Sequence, residues 1–127
     1  MGEPSFTPRE MDVMSILWDL GSATVAEVKE RMPDPLAYTT VLSLMRTLEE
    51  KELVRHEEEG RAYRYYPLVD WRDAGQGELR RLLRKVFKGS PELLLLQLVS
   101  DRKLDEEELR RIRDLVDERL GKEEEES

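Results

Sequence analysis

Thr39, Thr40, Ser43, Arg46 and Thr47 fall within one short stretch, and Arg61 follows beside Gly60. Hydroxyls presented on one helix face reach phosphates or base edges, and an arginine can fork onto the acceptors of guanine. An arginine at a hairpin tip suits a phosphate or the minor groove. This is the chemistry of recognition, and catalysis finds little beside it. His56 is the single histidine and there is no cysteine, which excludes a histidine cluster, thiolate metal sites and a cysteine nucleophile within one chain. Neither GxGxxG nor GxxxxGK[ST] occurs. The carboxylates concentrate in runs such as 57–59 and 123–126, which read as solvated surface. The chain reads as a non-enzyme with no cofactor and no metal.

Three helices must position these residues. Thr7-Pro8-Arg9-Glu10 is a capping box with proline at the first helical position, followed by Met11, Met14, Leu17 and Trp18 at helical spacing, with Val13 and Leu20 flanking the stripe and Gly21 as the stop. Thr24 to Glu27 is a second capping box, opening a short helix with Val25, Val28 and Met32 inward, ended by Pro33 and Pro35. The third helix begins near Tyr38, with Thr39 or Thr40 as its cap. Val41, Leu44, Met45 and Leu48 form its inner stripe, which turns Thr39, Ser43, Arg46 and Glu50 outward, with Thr40 and Thr47 on the flanks and Leu42 beside this face, either covering the domain edge or touching a thymine methyl. Residues 53–57 and 62–68 flank Glu58-Glu59-Gly60 and predict a β-hairpin in which Arg55, Arg61 and Arg64 are the available cations. Tyr63 and Tyr65 read as hairpin packing. Three helices and a hairpin in this order predict a winged helix-turn-helix.

The second half predicts a helix over 71–87 whose inner residues are Leu79, Leu82, Leu83, Val86 and Phe87. Ser90-Pro91 opens a short, nearly all-apolar helix carrying Leu94, Leu95 and Leu98. Asp105 to Glu108 is a further box, opening a helix with Leu109, Ile112, Leu115 and Val116. Three short helices cannot bury so many leucines alone, which argues for pairing with an identical copy. The fold class expected is mainly α with a small β-hairpin wing: a winged helix-turn-helix DNA-binding domain at 1–70, a helical dimerisation domain at 71–120 and a disordered acidic tail at 121–127.

The 127 residues hold 21 basic and 29 acidic side chains, for a net charge of −8. There are 8 basic against 13 acidic residues up to Leu68, and 13 against 16 after it. Neither half has the positive excess of a non-specific nucleic-acid binder, so the phosphate term should be modest and discrimination should come from base contacts. No run approaches the roughly 20 apolar residues of a spanning helix. The opening Met-Gly-Glu-Pro-Ser lacks the basic and apolar regions of a signal peptide, so a cytoplasmic location with no membrane partner is expected.

The strings SFTPREMDVMSILWDLG, ATVAEVKERM, LAYTTVLSLMRTLEEKELV and EGRAYRYYPLV, with FKGSPELLLLQLV in the second half, resemble the penicillinase/methicillin-resistance repressor family, which also contains copper-responsive repressors. The resemblance implies a homodimeric winged-helix transcriptional repressor of a palindromic operator. It assigns groove reading to Thr39, Thr40, Ser43, Arg46 and Thr47, and backbone contact to the wing around Arg61. It also implies a C-terminal dimer interface and, in antibiotic-responsive members, a protease-linked sensor system as partner. Relatives often carry arginine where this chain has Thr47, and glycine where it has Glu52, so the third helix either runs on or holds a strained left-handed residue there. The copper-sensing cysteines and the asparagine of the cleavage position are absent. The competing reading is a winged-helix module that binds protein instead of DNA, which would need no positive patch around Thr39, Arg46 and Arg61.

Overall fold

The computed structural model describes residues 4–126; Met1, Gly2 and Glu3 of the opening and Ser127 of the tail lie outside them. The chain order is α1 (Pro8–Leu20), β1 (Ala23–Thr24), α2 (Val25–Arg31), α3 (Tyr38–Glu50), β2 (Val54–Glu59), β3 (Ala62–Pro67), α4 (Trp71–Val86), α5 (Pro91–Val99) and α6 (Glu106–Glu126). Contacts divide it into two compact units, one ending at Arg81 and the other starting at Leu82.

In the first unit both sequence-predicted capping boxes form. Thr7 and Glu10 bond reciprocally through side chain and backbone at the start of α1, and Thr24 and Glu27 do the same for α2. The inward faces of the three helices meet in one core of Val13, Met14, Ile16, Leu17, Val25, Val28, Val41, Met45 and Leu48, closed by Leu53, Val54 and Tyr65 from the wing. Val13 and Ile16 are core residues and Met11 is half-buried, so the packing face of α1 is rotated from the stripe expected at Met11 and Trp18. Leu42 is half-buried and packs against the same core, as does Leu44, which the expected stripe places fully inside.

The strands form an antiparallel sheet in the order β1-β3-β2. Ala23 pairs with Tyr65 and Thr24 with Arg64, so the linker between α1 and α2 edges the wing with a third strand that the hairpin reading lacks. Glu59 pairs with Ala62, leaving Gly60 and Arg61 as a two-residue turn. Gly60 has φ +63° and Arg61 a negative φ, the pattern of a type II′ turn, in which the first position favours glycine.

Helix α3 stops through a Schellman arrangement. The Leu53 amide donates to the Leu48 carbonyl at 3.0 Å and the Glu52 amide to the Glu49 carbonyl at 2.9 Å, with Glu52 at φ 63°. Of the two outcomes expected at this position, the left-handed residue is the one present. Leu48 and Leu53 are both buried, and their burial holds Glu52 in a conformation that disfavours a side chain.

The first unit takes in the first eleven residues of α4, because Ala74 and Gly77 are buried there, whereas the expected boundary fell at 70/71. Asp70 accepts from the Arg72 amide at 3.0 Å and caps this helix. In the second unit, taken alone, no residue of α5 or α6 is buried. Leu82, Val86, Leu95, Leu98, Leu115 and Val116 are exposed, while Leu83, Phe87, Leu94, Leu109 and Ile112 are half-buried; Leu79, on the part of α4 in the first unit, is exposed. Helix α6 runs on through 121–126, the stretch expected as a disordered tail. Ion pairs one turn apart, Arg119 with Glu123 at 2.5 Å and Lys122 with Glu118 at 3.7 Å, support that extension.

Replacing Glu52 by glycine should stabilise the first unit by about 0.5–1 kcal/mol, seen as a rise in Tm, because it relieves a left-handed residue carrying a side chain. An unchanged or lowered Tm would mean that the position carries no strain.

Candidate nucleic-acid interface

The third helix is set against the first by one buried carboxylate. Glu10 is only 2% exposed, and its Oε1 accepts from the Thr7 amide at 2.8 Å and from Lys51 Nζ at 2.8 Å. Lys51 is the C-cap residue of α3, so the bond ties the start of α1 to the end of α3. Burial alone would raise the Glu10 pKa; the Lys51 bond, the Thr7 bonds and the Lys51 charge outweigh it and hold the carboxyl below its ordinary value.

On α3 the structure exposes Thr39, Thr40, Ser43, Arg46 and Glu50 and leaves Thr47 half-buried. Thr39, Thr40, Ser43 and Thr47 share a shallow depression of about 420 Å³ with Thr7, Glu10 and Leu44. The Thr47 hydroxyl donates to the Ser43 carbonyl at 3.0 Å, so it is already engaged within the helix. Neither Thr39 nor Thr40 caps the helix. The N-cap is Ala37, with no side-chain cap bond, because the chain after Pro35 enters the helix two residues earlier than expected. No acidic residue occupies the first turn of α3, while α1 and α2 each hold a glutamate there. The N-terminal end of α3 therefore presents its first amides and positive dipole with no capping side chain or acidic residue of its own.

The wing divides its cations. Arg64 bonds Glu59 at 2.5 Å, Glu27 at 3.1 Å and Ser22 at 3.3 Å, and these contacts keep the guanidinium firmly charged. The Thr24 backbone and side-chain bonds, with Arg64, hold the Glu27 carboxyl low. Arg55 pairs with Glu57 at 2.8 Å and lies over the Tyr66 ring at 4.3 Å. Two of the three wing arginines expected to be available are thus engaged inside the domain. Arg61 at the exposed turn and Arg46 on α3 have no carboxylate or hydrogen-bond partner among the described residues. Lys29 and Arg31 at the end of α2 are likewise exposed and without such a partner, two cations that the sequence reading passed over although their last-turn positions were visible.

The base of the wing is fixed to the end of α3. His56 Nδ1 lies 2.5 Å from Glu49 Oε2, and its ring packs on Tyr63 and Tyr65 at 4.4 and 5.5 Å between centroids. Tyr65 is 1% exposed, and burial, then the Glu49 charge, push its phenol pKa up. The Glu49 carboxylate, unfavourable at a helix C-terminus, is thus used as a tether.

A three-helix core edged by a small sheet, with an outward hydroxyl-and-arginine face on the third helix and a free arginine at the hairpin tip, defines a winged-helix protein. A sequence profile described as penicillinase repressor matches residues 6–118, and the chain belongs to that family, one of transcriptional repressors and not of enzymes. It is 22% identical over 124 residues to the penicillinase repressor of Bacillus licheniformis, covering 96% of this chain and 97% of that protein. It is 25% identical over 109 residues to the methicillin resistance regulatory protein MecI of Staphylococcus aureus (strain N315), covering 84% and 89%. Among solved structures it is similar to the DNA-binding domain of the repressor BlaI, with a TM-score of 0.51 and 26% identity over 57% of this chain and 90% of that one. No helix among the described residues is long and apolar enough to cross a membrane.

The depressed Glu10 pKa has a definite pH signature. Its contribution to stability is complete above the unfolded value of 4.5 and is lost as pH falls through the lower folded value. Glu10→Gln should cost about 1–2 kcal/mol at pH 7 and should flatten the loss of stability on acidification. Parallel pH–stability curves for the two proteins would remove Glu10 from the linkage.

Proposed function

We propose that two copies of this chain pair through the helices of the second unit and repress transcription by binding a palindromic operator in double-stranded DNA. In this reading Thr39, Thr40, Ser43 and Arg46 enter the major groove from the first two turns of α3. Arg61 of the wing lies along the backbone, and Thr47 holds its helix more than it reads. One observation carries the proposal: the outward side of α3 joins an unpartnered arginine to a helix N-terminus that has neither a capping side chain nor an acidic residue in its first turn. A phosphate would supply the missing acceptor there, and Arg46 would then stand where a base edge is read. The acidic balance of the chain limits the phosphate term. Of the eleven basic residues in the first unit, at least six are tied to carboxylates among the described residues.

Pairing is supported by the second unit itself. Its leucines lie along helices that bury none of their residues in a single chain, and an apolar surplus of that kind is the usual content of a two-fold interface. Leu82, Leu83, Val86 and Phe87 of α4, Leu94, Leu95 and Leu98 of α5, and Leu109, Ile112, Leu115 and Val116 of α6 are assigned to it, with Leu79 continuing the stripe on α4.

Genomic fragments selected by the protein should share an inverted repeat. On that operator Arg46→Ala should cost about 1–3 kcal/mol and relax one base position in each half-site. Unchanged binding would make Arg46 a bystander. The salt dependence should be shallow; a slope equivalent to about ten or more phosphate contacts per dimer, at roughly −0.9 each, would contradict base-led recognition. Sedimentation at micromolar concentration should give two chains per particle, and a lone chain would end the dimeric reading.

A further inference from the structure

A second concave surface of the first unit has no part in the DNA reading. Met11, Ser15, Trp18 and Asp19 of α1 and Trp71, Gly75 and Glu78 of α4 line a groove of about 690 Å³, within the size range of small-molecule sites. Trp18 and Trp71 are the only tryptophans of the chain, and both are here. Trp18 is held rigidly: its indole Nε1 donates to the Val69 carbonyl at 2.9 Å, and Phe6 meets it edge-on at 6.5 Å. Trp71 is 56% exposed. An added Cβ at Gly75 would meet nothing within 4 Å, so the groove is open above that residue.

The ionisable side chains that line the groove are acidic, with Arg72 beside Trp71 and Arg81 beside Glu78 at its margin. Asp19 and Glu78 are the ionisable residues of the lining, and no basic residue joins them. Glu78 is bonded to Arg81, but Asp19 has no cation partner among the described residues. Asp19 sits in the last turn of α1, where the helix dipole is negative and no basic residue offsets it. The opposing positive end of α4 is already covered by Asp70 and Asp73. Two indole faces attract cations through their quadrupole, and the chain itself seats one: the Arg72 guanidinium lies 5.0 Å from the Trp71 ring centroid. We propose that the groove between α1 and α4 is a binding site for a lipophilic aromatic cation, with Trp18 and Trp71 as its walls and Asp19 as its counter-ion. The rigid indole, the open floor at Gly75 and the unpaired carboxylate fit a flat or propeller-shaped organic cation better than a metal ion or an anion.

Because both tryptophans line the groove, their fluorescence reports on it directly. The full chain, without DNA, is titrated with tetraphenylphosphonium and in parallel with tetraphenylborate, which has the same shape and the opposite charge. Saturable quenching by the phosphonium is expected, with at least about tenfold weaker binding of the borate. Asp19→Asn should weaken the cation several-fold, and Gly75→Leu, which fills the floor without breaking the helix, should abolish it. Calorimetry supplies a second readout, and Ser15→Leu blocks the groove from the α1 side should the Gly75 variant fail to fold. Equal affinity for the two ions, or undiminished binding after the groove is filled, would overturn the proposal. So would quenching that follows protein concentration while ignoring the cation, since a second copy of the chain would then occupy the surface.

Discussion

The arrangement of the first unit depends on one carboxylate. Three short helices offer a small core, and apolar packing alone fixes their mutual rotation loosely, since side chains along a stripe repack at modest cost. Glu10 adds direction. It accepts from Thr7 at its own helix start and from Lys51 at the far end of α3, so the two termini are bonded through one oxygen. Its burial makes the geometry demanding, because an unpaired carboxylate there would be strongly unfavourable. The depression that holds Thr39, Thr40, Ser43 and Thr47 includes Thr7 and Glu10. The device that orients α3 therefore borders the face that α3 presents.

The wing follows the same logic with a different ion. Arg64 on β3 reaches Glu27, the carboxylate that also closes the Thr24 capping box, so a strand, a helix start and the edge strand β1 share one network. His56 then links β2 to Glu49 on α3. Much of the charge is consumed internally in this way, and an acidic domain is left with few cations that face outward unpaired. Arg46, the one arginine of α3, and Arg61 stand out because the other two arginines of the wing, Arg55 and Arg64, are engaged.

Much of this was legible in the residues. Caps at Thr7, Thr24 and Ser90 are local chemistry, decided within four residues, and all three form. The core face of α3 followed from periodicity at Val41, Met45 and Leu48. What escaped was set by distance along the chain. The β1 strand is two residues long, and its partners lie some forty residues away, so no local pattern announces it. Arg64 looked free because Glu27, its partner, is 37 residues distant. The hydroxyls at Thr39 and Thr40 looked like caps because their type suits the role, but the path after Pro35 places Ala37 at the cap, and hydroxyl chemistry cannot report where a loop turns. The stretch 121–126 differs from expectation for the opposite reason: its composition is that of a solvated tail, yet pairs at i and i+4 suffice to continue a helix already running.

Sparse outward cations have a consequence for how such a domain could hold DNA at all. A single first unit offers few phosphate contacts, and doubling a chain of net charge −8 adds long-range repulsion from the DNA backbone. Affinity must then come from short-range contacts that act inside the screening length, about 8 Å at physiological salt, and the proposed pairing would join two such sets. Linking two weak half-site interactions makes the second effectively intramolecular and raises overall affinity without any new contact. Paired as proposed, an acidic repressor would gain little by sliding on arbitrary sequence and much from correct spacing of its two copies. In the proposed dimer the exposed leucines of α5 and α6 and the free arginine of α3 would be parts of one solution, pairing supplying the hold on DNA that surface charge does not.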